Sequence, residues 1–296
     1  MYDLTFSPET IAAWYQDKPS TTPDDLILPP ERKAQLRREL DGFLNSDDPA
    51  SAQCWFLYGL PGTGKTLSIR AIVRELMEAG YRCLSLNAVD LMSSYVGEAE
   101  RRIPAAFREA MDNAPCVLVF DELELVCPDR RRPNIASHQL NLTIAFLMSM
   151  DTLLHSGKQV LLLTASSRPE EVDEVFYRRA RCISLSLPDE DCRKQYFAKA
   201  FENLILEEGF TIDDMAARTE GRSYRDLNCL TEDILFRLKD AAIMTFDHEQ
   251  AAIAALKEGR LPVTRAMFEQ ALRERPLPDK ESWLAQLRDF EAQLQI

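Results

Sequence analysis

The sequence predicts an α/β protein: a doubly wound αβα body with a five-stranded parallel sheet, followed by a small all-α unit. Three observations predict it. Short continuous apolar runs at 54–58, 82–87, 116–121, 160–165 and 182–187 read as strands covered on both faces, because a strand with one wet face would alternate instead. Segments of helical period lie between and before them, at about 31–45, 64–79, 98–113, 138–156 and 170–179. After Pro188 the helical period continues without another strand, at 190–208, 211–217, 223–246 and 264–274. Right-handed crossovers place the first set of helices on both faces of the sheet. In such folds ligands bind beyond the carboxyl ends of the strands, so motifs there carry the most weight.

Each end of the chain has its own character. Ser7-Pro8-Glu9 predicts a helix start, with a capping hydroxyl and a proline at the first helical position, so that Ile11, Trp14 and Tyr15 share a face. That helix either docks on the main body or binds a partner. Pro19-Ser20-Thr21-Thr22-Pro23 follows as a linker. Pro276-Leu277-Pro278 breaks the chain before a last helix, 279–295, where Trp283, Leu287, Phe290 and Leu294 line one side. The expected divisions are therefore 1–23, 24–188, 189–275 and 276–296.

Composition excludes several classes. The 296 residues carry 35 basic and 48 acidic side chains, a net charge of −13, which works against loose attachment to nucleic acid or anionic membrane. No apolar run approaches the ~20 residues that a membrane span needs. The seven cysteines are scattered without a C-x-x-C pair, which suits buried thiols in a reducing, cytoplasmic setting. His138, His155 and His248 are too far apart for a metal-binding H-E-x-x-H helix.

The chemistry concentrates in two stretches. Gly59-Leu60-Pro61-Gly62-Thr63-Gly64-Lys65-Thr66 matches G-x-x-x-x-G-K-[ST] between a strand ending at Tyr58 and a helix starting near Gly64. Its glycines let successive backbone N–H groups turn inward as an anion nest, and the helix N-terminus, with Leu67 in its first turn, adds partial positive charge. Lys65 reaches the β- and γ-phosphates and Thr66 offers a hydroxyl to Mg2+. The second stretch, Val117-Leu118-Val119-Phe120-Asp121-Glu122, ends a predicted strand on two acids. Asp121 is placed for the Mg2+ shell and Glu122 to polarise the attacking water. Glu124 and Asp129 are expected to be solvated.

With these motifs the chain resembles the AAA+ ATPases, from about Asp24 to Leu272. The resemblance implies a P-loop NTPase core, a helical lid, ATP and Mg2+ as ligands, and a ring of copies, usually a hexamer. Ser94-Tyr95-Val96-Gly97-Glu98 stands where the family has a pore loop that grips polypeptide, although Tyr95 and Val96 before Gly97 also suit buried loop anchors. Pro104 departs from the family and predicts a kink or restart near Ile103. Ser167 aligns with the family's first sensor, usually an Asn, with Thr164 as a substitute. The segment 173–181 matches the arginine-finger helix, with Arg179 and then Arg178 as candidates. A finger from a neighbour is worth roughly 10³–10⁵ in rate. Arg225 falls in the second-sensor region, where many relatives carry Gly-Ala in place of Tyr224-Arg225; a salt bridge to Asp226 is the alternative. Arg130-Arg131-Arg132 reads as a solvated loop or as the lining of a lower pore.

Within that family the likeness is strongest to the pachytene-checkpoint group, which remodels HORMA-domain proteins. It rests on Ser94–Glu98, Val172–Arg181 and Gly221–Leu227, and bacterial relatives of that group act in antiviral operons. The expected function is thus an ATP-driven remodeller of protein. The alternative is a nucleic-acid-associated ATPase of the clamp-loader, helicase-loader or initiator type, which the acidic charge disfavours.

Overall fold

A computed structural model describes residues 12–14, 17–45, 54–86, 99–133, 135–246, 255, 261–277 and 279–294. Six strands form one sheet: β1 (Ala12–Trp14), β2 (Cys54–Tyr58), β3 (Arg82–Leu86), β4 (Cys116–Phe120), β5 (Val160–Ser166) and β6 (Arg181–Ser184). Their order is β1-β3-β4-β5-β2-β6, and β2 to β6 are all parallel. The five expected parallel strands are therefore present, with the phosphate-loop strand β2 between β5 and β6.

Period-two alternation sorts the strand side chains into two cores. Phe56, Leu84, Leu118, Phe120 and Leu162 face one layer, packed under α3 (Ala99–Asp112) and α4 (Ser137–Leu154). Trp55, Leu57, Cys83, Val117 and Leu163 face the other, under α1 (Pro30–Leu44) and α2 (Lys65–Glu78). Nearly every strand residue is buried because each face has a helical cover, which is why the sequence showed apolar runs instead of alternation.

A third core holds the helical unit: Phe197, Phe210, Leu227, Leu230, Ile234 and Phe268 pack between α6 (Glu190–Ala200), α7 (Ile212–Ala217), α8 (Tyr224–Phe246) and α9 (Arg265–Glu274). The last helix, α10 (Glu281–Leu294), returns to the sheet. Its Phe290 is buried against Phe56, Tyr58 and Tyr177. Burying such a ring contributes roughly 2–3 kcal/mol. Leu287 and Leu294 pack beside it, as expected, whereas Trp283 stays 47% exposed.

Several expectations need correction. Residues 12–14 are strand, not helix: they pair antiparallel with β3 (Ala12↔Leu86, Trp14↔Leu84). Without them β3 would present a row of unpaired backbone groups at the sheet edge, and that demand overrides a local helix signal. The expected helix at 170–179 is a 3-10 turn, Pro169–Glu171, followed by the single turn α5 (Glu174–Tyr177), because Asp173 caps a new start by accepting from Val175 N at 3.0 Å. The expected helix at 190–208 stops at Ala200. Helix α3 runs through Pro104 without a restart.

Candidate nucleotide site

The loop 59–64 leaves the end of β2 and feeds α2, and two of its glycines are fixed by close approach. A Cβ at Gly59 would lie 2.1 Å from the carbonyl oxygen of Leu185, just beyond β6. At Gly62 (φ 78°) it would meet Arg225 Cβ and Ser223 Oγ, each at 2.7 Å. The lid segment 223–225 thus rests directly on the phosphate loop. Thr63 is fully buried and donates to Leu60 O at 2.9 Å, holding the turn closed. Lys65 sits at the first residue of α2, 6% exposed, its ammonium donating to Gly59 O at 2.8 Å and Leu60 O at 2.9 Å. Burial pushes this lysine down to about 8, partly offset by the charges of Asp121 and Glu124.

The strand-tip acids meet the loop as expected. Asp121 follows the last residue of β4, and its Oδ2 accepts from Thr66 Oγ1 at 2.8 Å while Oδ1 accepts from Glu122 N at 3.0 Å. A hydroxyl and a carboxylate side by side are hard oxygen donors, and this pair fits Mg2+, which keeps several waters and takes phosphate oxygens as further ligands. Glu122 is exposed at φ 55°, the single non-glycine residue with positive φ among the described residues. Backbone strain of this kind costs on the order of 1–3 kcal/mol and holds the carboxylate away from the strand. Glu124 contradicts its expectation: it is 6% exposed rather than solvated, because the 3-10 turn Leu123–Leu125 folds it back beneath the site. Asp129 is likewise paired, accepting from Arg131 Nε at 3.1 Å.

Beside the loop lies a cavity of about 420 Å³. Thr63, Gly64 and Leu67 line the end next to the phosphate loop, and Ser68 Oγ, buried beside them, has no hydrogen-bond partner among the described residues. Leu26, Ile27 and Leu28 form one wall, while Tyr196 of α6 and Tyr224, Thr231 and Leu235 of α8 form the other. The Tyr224 hydroxyl donates to Ile27 O and joins the walls. A planar base would fit between these largely apolar sides. None of the wall residues was assigned to the base pocket from sequence. The run Leu26-Ile27-Leu28 before Pro29-Pro30 was one available signal, and Tyr224, standing where many relatives carry Gly, was another; Tyr196 gave none.

The remaining candidates divide. Arg225 is exposed at the start of α8. Its alternative partner, Asp226, is already engaged by Lys280 Nζ at 2.5 Å and by Ser223 N and Oγ at 2.8 Å each. Ser167 is half-buried just beyond β5, in a surface groove shared with Leu60, Pro61 and Trp283. Thr164 is fully buried and spends its hydroxyl on Trp55 O at 2.9 Å, so it does not replace Ser167. Arg179 is bound to Asp151 of α4 and Arg178 to Glu174, one turn back. The Arg178 side chain is 71% exposed and that of Arg179 42%. Arg130, Arg131 and Arg132 are exposed, as expected of a solvated loop, and they pair with Asp173, Glu174 and Glu171. Tyr95, Val96 and Gly97 lie outside the described residues.

The model of the "ATPase family associated with various cellular activities (AAA)" matches residues 55–187, from the strand before the phosphate loop to the end of the sheet. The chain carries an AAA ATPase domain. The chain is 29% identical over 220 residues to the Cell division cycle protein 48 homolog of Archaeoglobus fulgidus, covering 73% of this chain and 29% of that protein. With the ATPase family gene 2 protein of Saccharomyces cerevisiae it shares 30% over 224 residues, covering 72% and 28%. Protein SAV of Sulfolobus acidocaldarius is 29% identical over 224 residues, covering 73% and 28%. The chain therefore spans under a third of the length of these curated relatives. Among the described residues no helix is long and apolar enough to cross a membrane.

Proposed function

We propose that this AAA ATPase domain hydrolyses ATP with Mg2+ at boundaries between copies of itself and uses the cycle to remodel a protein substrate. The observation that carries the reading is the Thr66–Asp121 hydrogen bond, which sets the phosphate loop's helix against the tip of β4, beside a base-sized cavity lined by Thr63 and Gly64 of that loop and by the lid. Lys65 and the loop amides would hold the phosphates, and Thr66 and Asp121 would hold Mg2+, which would supply charge neutralisation there. Glu122 accepts the proton of the attacking water. Arg225, standing on Gly62, is placed to sense whether the γ-phosphate is present, with Ser167 as the shorter contact at the tip of β5.

Arg178 is the better finger of the two candidates, being more exposed and held by a residue of its own turn rather than tied to α4. A planar, permanently charged guanidinium suits transfer between subunits. Apolar side chains stand exposed on both layers, Met148 at 67% on α4 and Phe236 and Met244 at 73% and 77% on α8. Unlike patches on opposite parts of one chain favour head-to-tail contacts, which close into rings such as the hexamer common in this family. Tyr95, Val96 and Gly97 then serve as the pore loop. The pachytene-checkpoint likeness makes a HORMA-domain protein, in a bacterial antiviral setting, the first substrate to try.

The test is the ATPase rate with folded protein substrates and with DNA side by side, in wild type and Tyr95→Ala. Protein-dependent stimulation and conformational change of the substrate are expected, with Tyr95→Ala keeping basal hydrolysis but losing the substrate effect. Stimulation by DNA alone, weakening steeply with salt, contradicts the reading.

A further inference from the structure

Several polar groups that line the cavity beside the phosphate loop are already engaged. Leu26 O accepts from Lys33 Nζ at 3.3 Å, and Ile27 O accepts from the Tyr224 hydroxyl. Lys199 Nζ donates to Asp25 Oδ1 at 3.4 Å. The Tyr196 hydroxyl donates to Asn228 Oδ1 at 3.3 Å, and Asn228 Nδ2 donates to Glu232 Oε1 at 2.7 Å. Two hydroxyls of the lining have no hydrogen-bond partner among the described residues, Ser68 Oγ and Thr231 Oγ1. Both residues are buried, Ser68 at 0% and Thr231 at 5% exposed.

The two stand at different ends of the cavity. Ser68 N donates to Gly64 O at 2.8 Å, which keeps Ser68 one turn from the phosphate loop. Tyr224, Asn228, Thr231 and Leu235 follow helical spacing, so one face of α8 lines the cavity along its length. That helix begins where Ser223 and Arg225 rest on Gly62. Thr231 lies two turns beyond Tyr224, about 10 Å along the axis, and so stands level with the far edge of a base. A threonine inside a helix commonly turns its hydroxyl to the carbonyl four residues back. Thr231 makes no such bond, and its unpartnered burial is destabilising in the empty cavity.

We propose that Thr231 determines which bases the site accepts: its hydroxyl bonds the polar group at C6 of a purine and takes an amino or an oxo group alike. The proposal rests on the reading above, in which this cavity holds the base of a nucleoside triphosphate. A hydroxyl both donates and accepts, so it accepts from the 6-amino group of adenine and donates to the 6-oxo group of hypoxanthine. The carbonyls of Leu26 and Ile27 would accept from an amino group and disfavour an oxo group, but Lys33 and Tyr224 occupy them. The site therefore separates purines with a polar group at C6 from those without one, and leaves ATP and inosine triphosphate nearly equal.

The experiment measures, by calorimetry on the full chain, the dissociation constants of ATP, inosine triphosphate, purine riboside triphosphate (hydrogen at C6) and tripolyphosphate. Wild type is expected to bind the first two within about threefold of each other and the third about fivefold to tenfold more weakly. Thr231→Val brings the first two down to the third with tripolyphosphate unchanged, Thr231→Ser keeps the wild-type order, and Ser68→Ala keeps the ratios. Without nucleotide, Thr231→Val is expected to raise Tm, because a methyl of the same shape replaces an unpartnered hydroxyl. A lowered Tm, inosine triphosphate more than about tenfold weaker than ATP, or a C6 preference that survives Thr231→Val or is lost in Ser68→Ala overturns the role of Thr231 alone. A wild-type chain that binds tripolyphosphate as tightly as ATP overturns the base site itself, and the role of Thr231 with it.

Discussion

The phosphate loop is one unbroken stretch, residues 59–66, set against the tip of β4, whereas the cavity that Thr63 and Gly64 adjoin is assembled from segments as distant as Leu26 and Leu235. The first end is polar and fixed by short-range hydrogen bonds: Thr63 to Leu60 O, Lys65 to Gly59 O, Thr66 to Asp121. The second is largely apolar and spans two folding units, joined by the Tyr224 hydroxyl on Ile27 O and by Lys199 Nζ on Asp25 Oδ1 at 3.4 Å. Binding strength and chemistry belong to the rigid end. Under the proposed function, response to nucleotide draws on the jointed end and on the seam at Gly62, where a change of lid angle would alter the contacts.

The largest effects should come from the rigid end. Glu122→Gln is expected to lower kcat by at least about 100-fold with ATP affinity retained, and Lys65→Ala to abolish binding as well, both measured by steady-state hydrolysis and nucleotide titration. Equal small losses for the two would break the comparison. Next comes the seam between the ends. Gly62→Ala introduces a methyl 2.7 Å from Arg225 Cβ and Ser223 Oγ at a positive φ, and should cost about 1–3 kcal/mol in thermal or chemical unfolding. The lid must lift to admit it, so ATP binding weakens too.

Protonation separates the ends further. The folded Lys65 titrates near 8, below the 10.5 of an unfolded lysine, so the charged form carries a burial penalty below about 8. Nucleotide-free stability should therefore gain from this group as pH rises from 8 toward 10.5. ATP affinity should move the opposite way, falling by up to about tenfold per pH unit above 8 because phosphate binding requires the ammonium. Lys65→Arg, which cannot lose its charge, removes this pH dependence; a slope that survives the substitution assigns it elsewhere. The smallest effect belongs to the base end. Tyr224→Phe removes the hydroxyl bond to Ile27 O and should weaken ATP by about 1 kcal/mol, leaving tripolyphosphate binding unchanged in the same titration.

The same contrast explains what could be read before folding. The phosphate loop and Asp121-Glu122 were legible because their chemistry demands fixed spacing along one stretch of chain. The parallel sheet was legible because burial on both faces leaves continuous apolar runs. Residues 12–14 were misread because the unpaired edge of β3, not local periodicity, decides their conformation. Glu124 looked like a surface acid because nothing in its neighbours reveals a 3-10 turn that folds it under the site. The ion-pair partners of Arg130, Arg131 and Arg132 were not legible because those acids lie some forty residues onward, at Glu171, Asp173 and Glu174. The cavity walls were invisible for the same reason: Tyr196 and Tyr224 meet Ile27 only in three dimensions.

The most direct test mixes two inactive forms. Glu122→Gln keeps Arg178 but cannot activate water, and Arg178→Ala keeps its own site but lends no arginine. Hydrolysis that neither form shows alone should appear on mixing, since a site of the second is then completed by a finger of the first. Full activity of Arg178→Ala by itself, or a mixture as silent as its parts, contradicts a nucleotide site shared between copies.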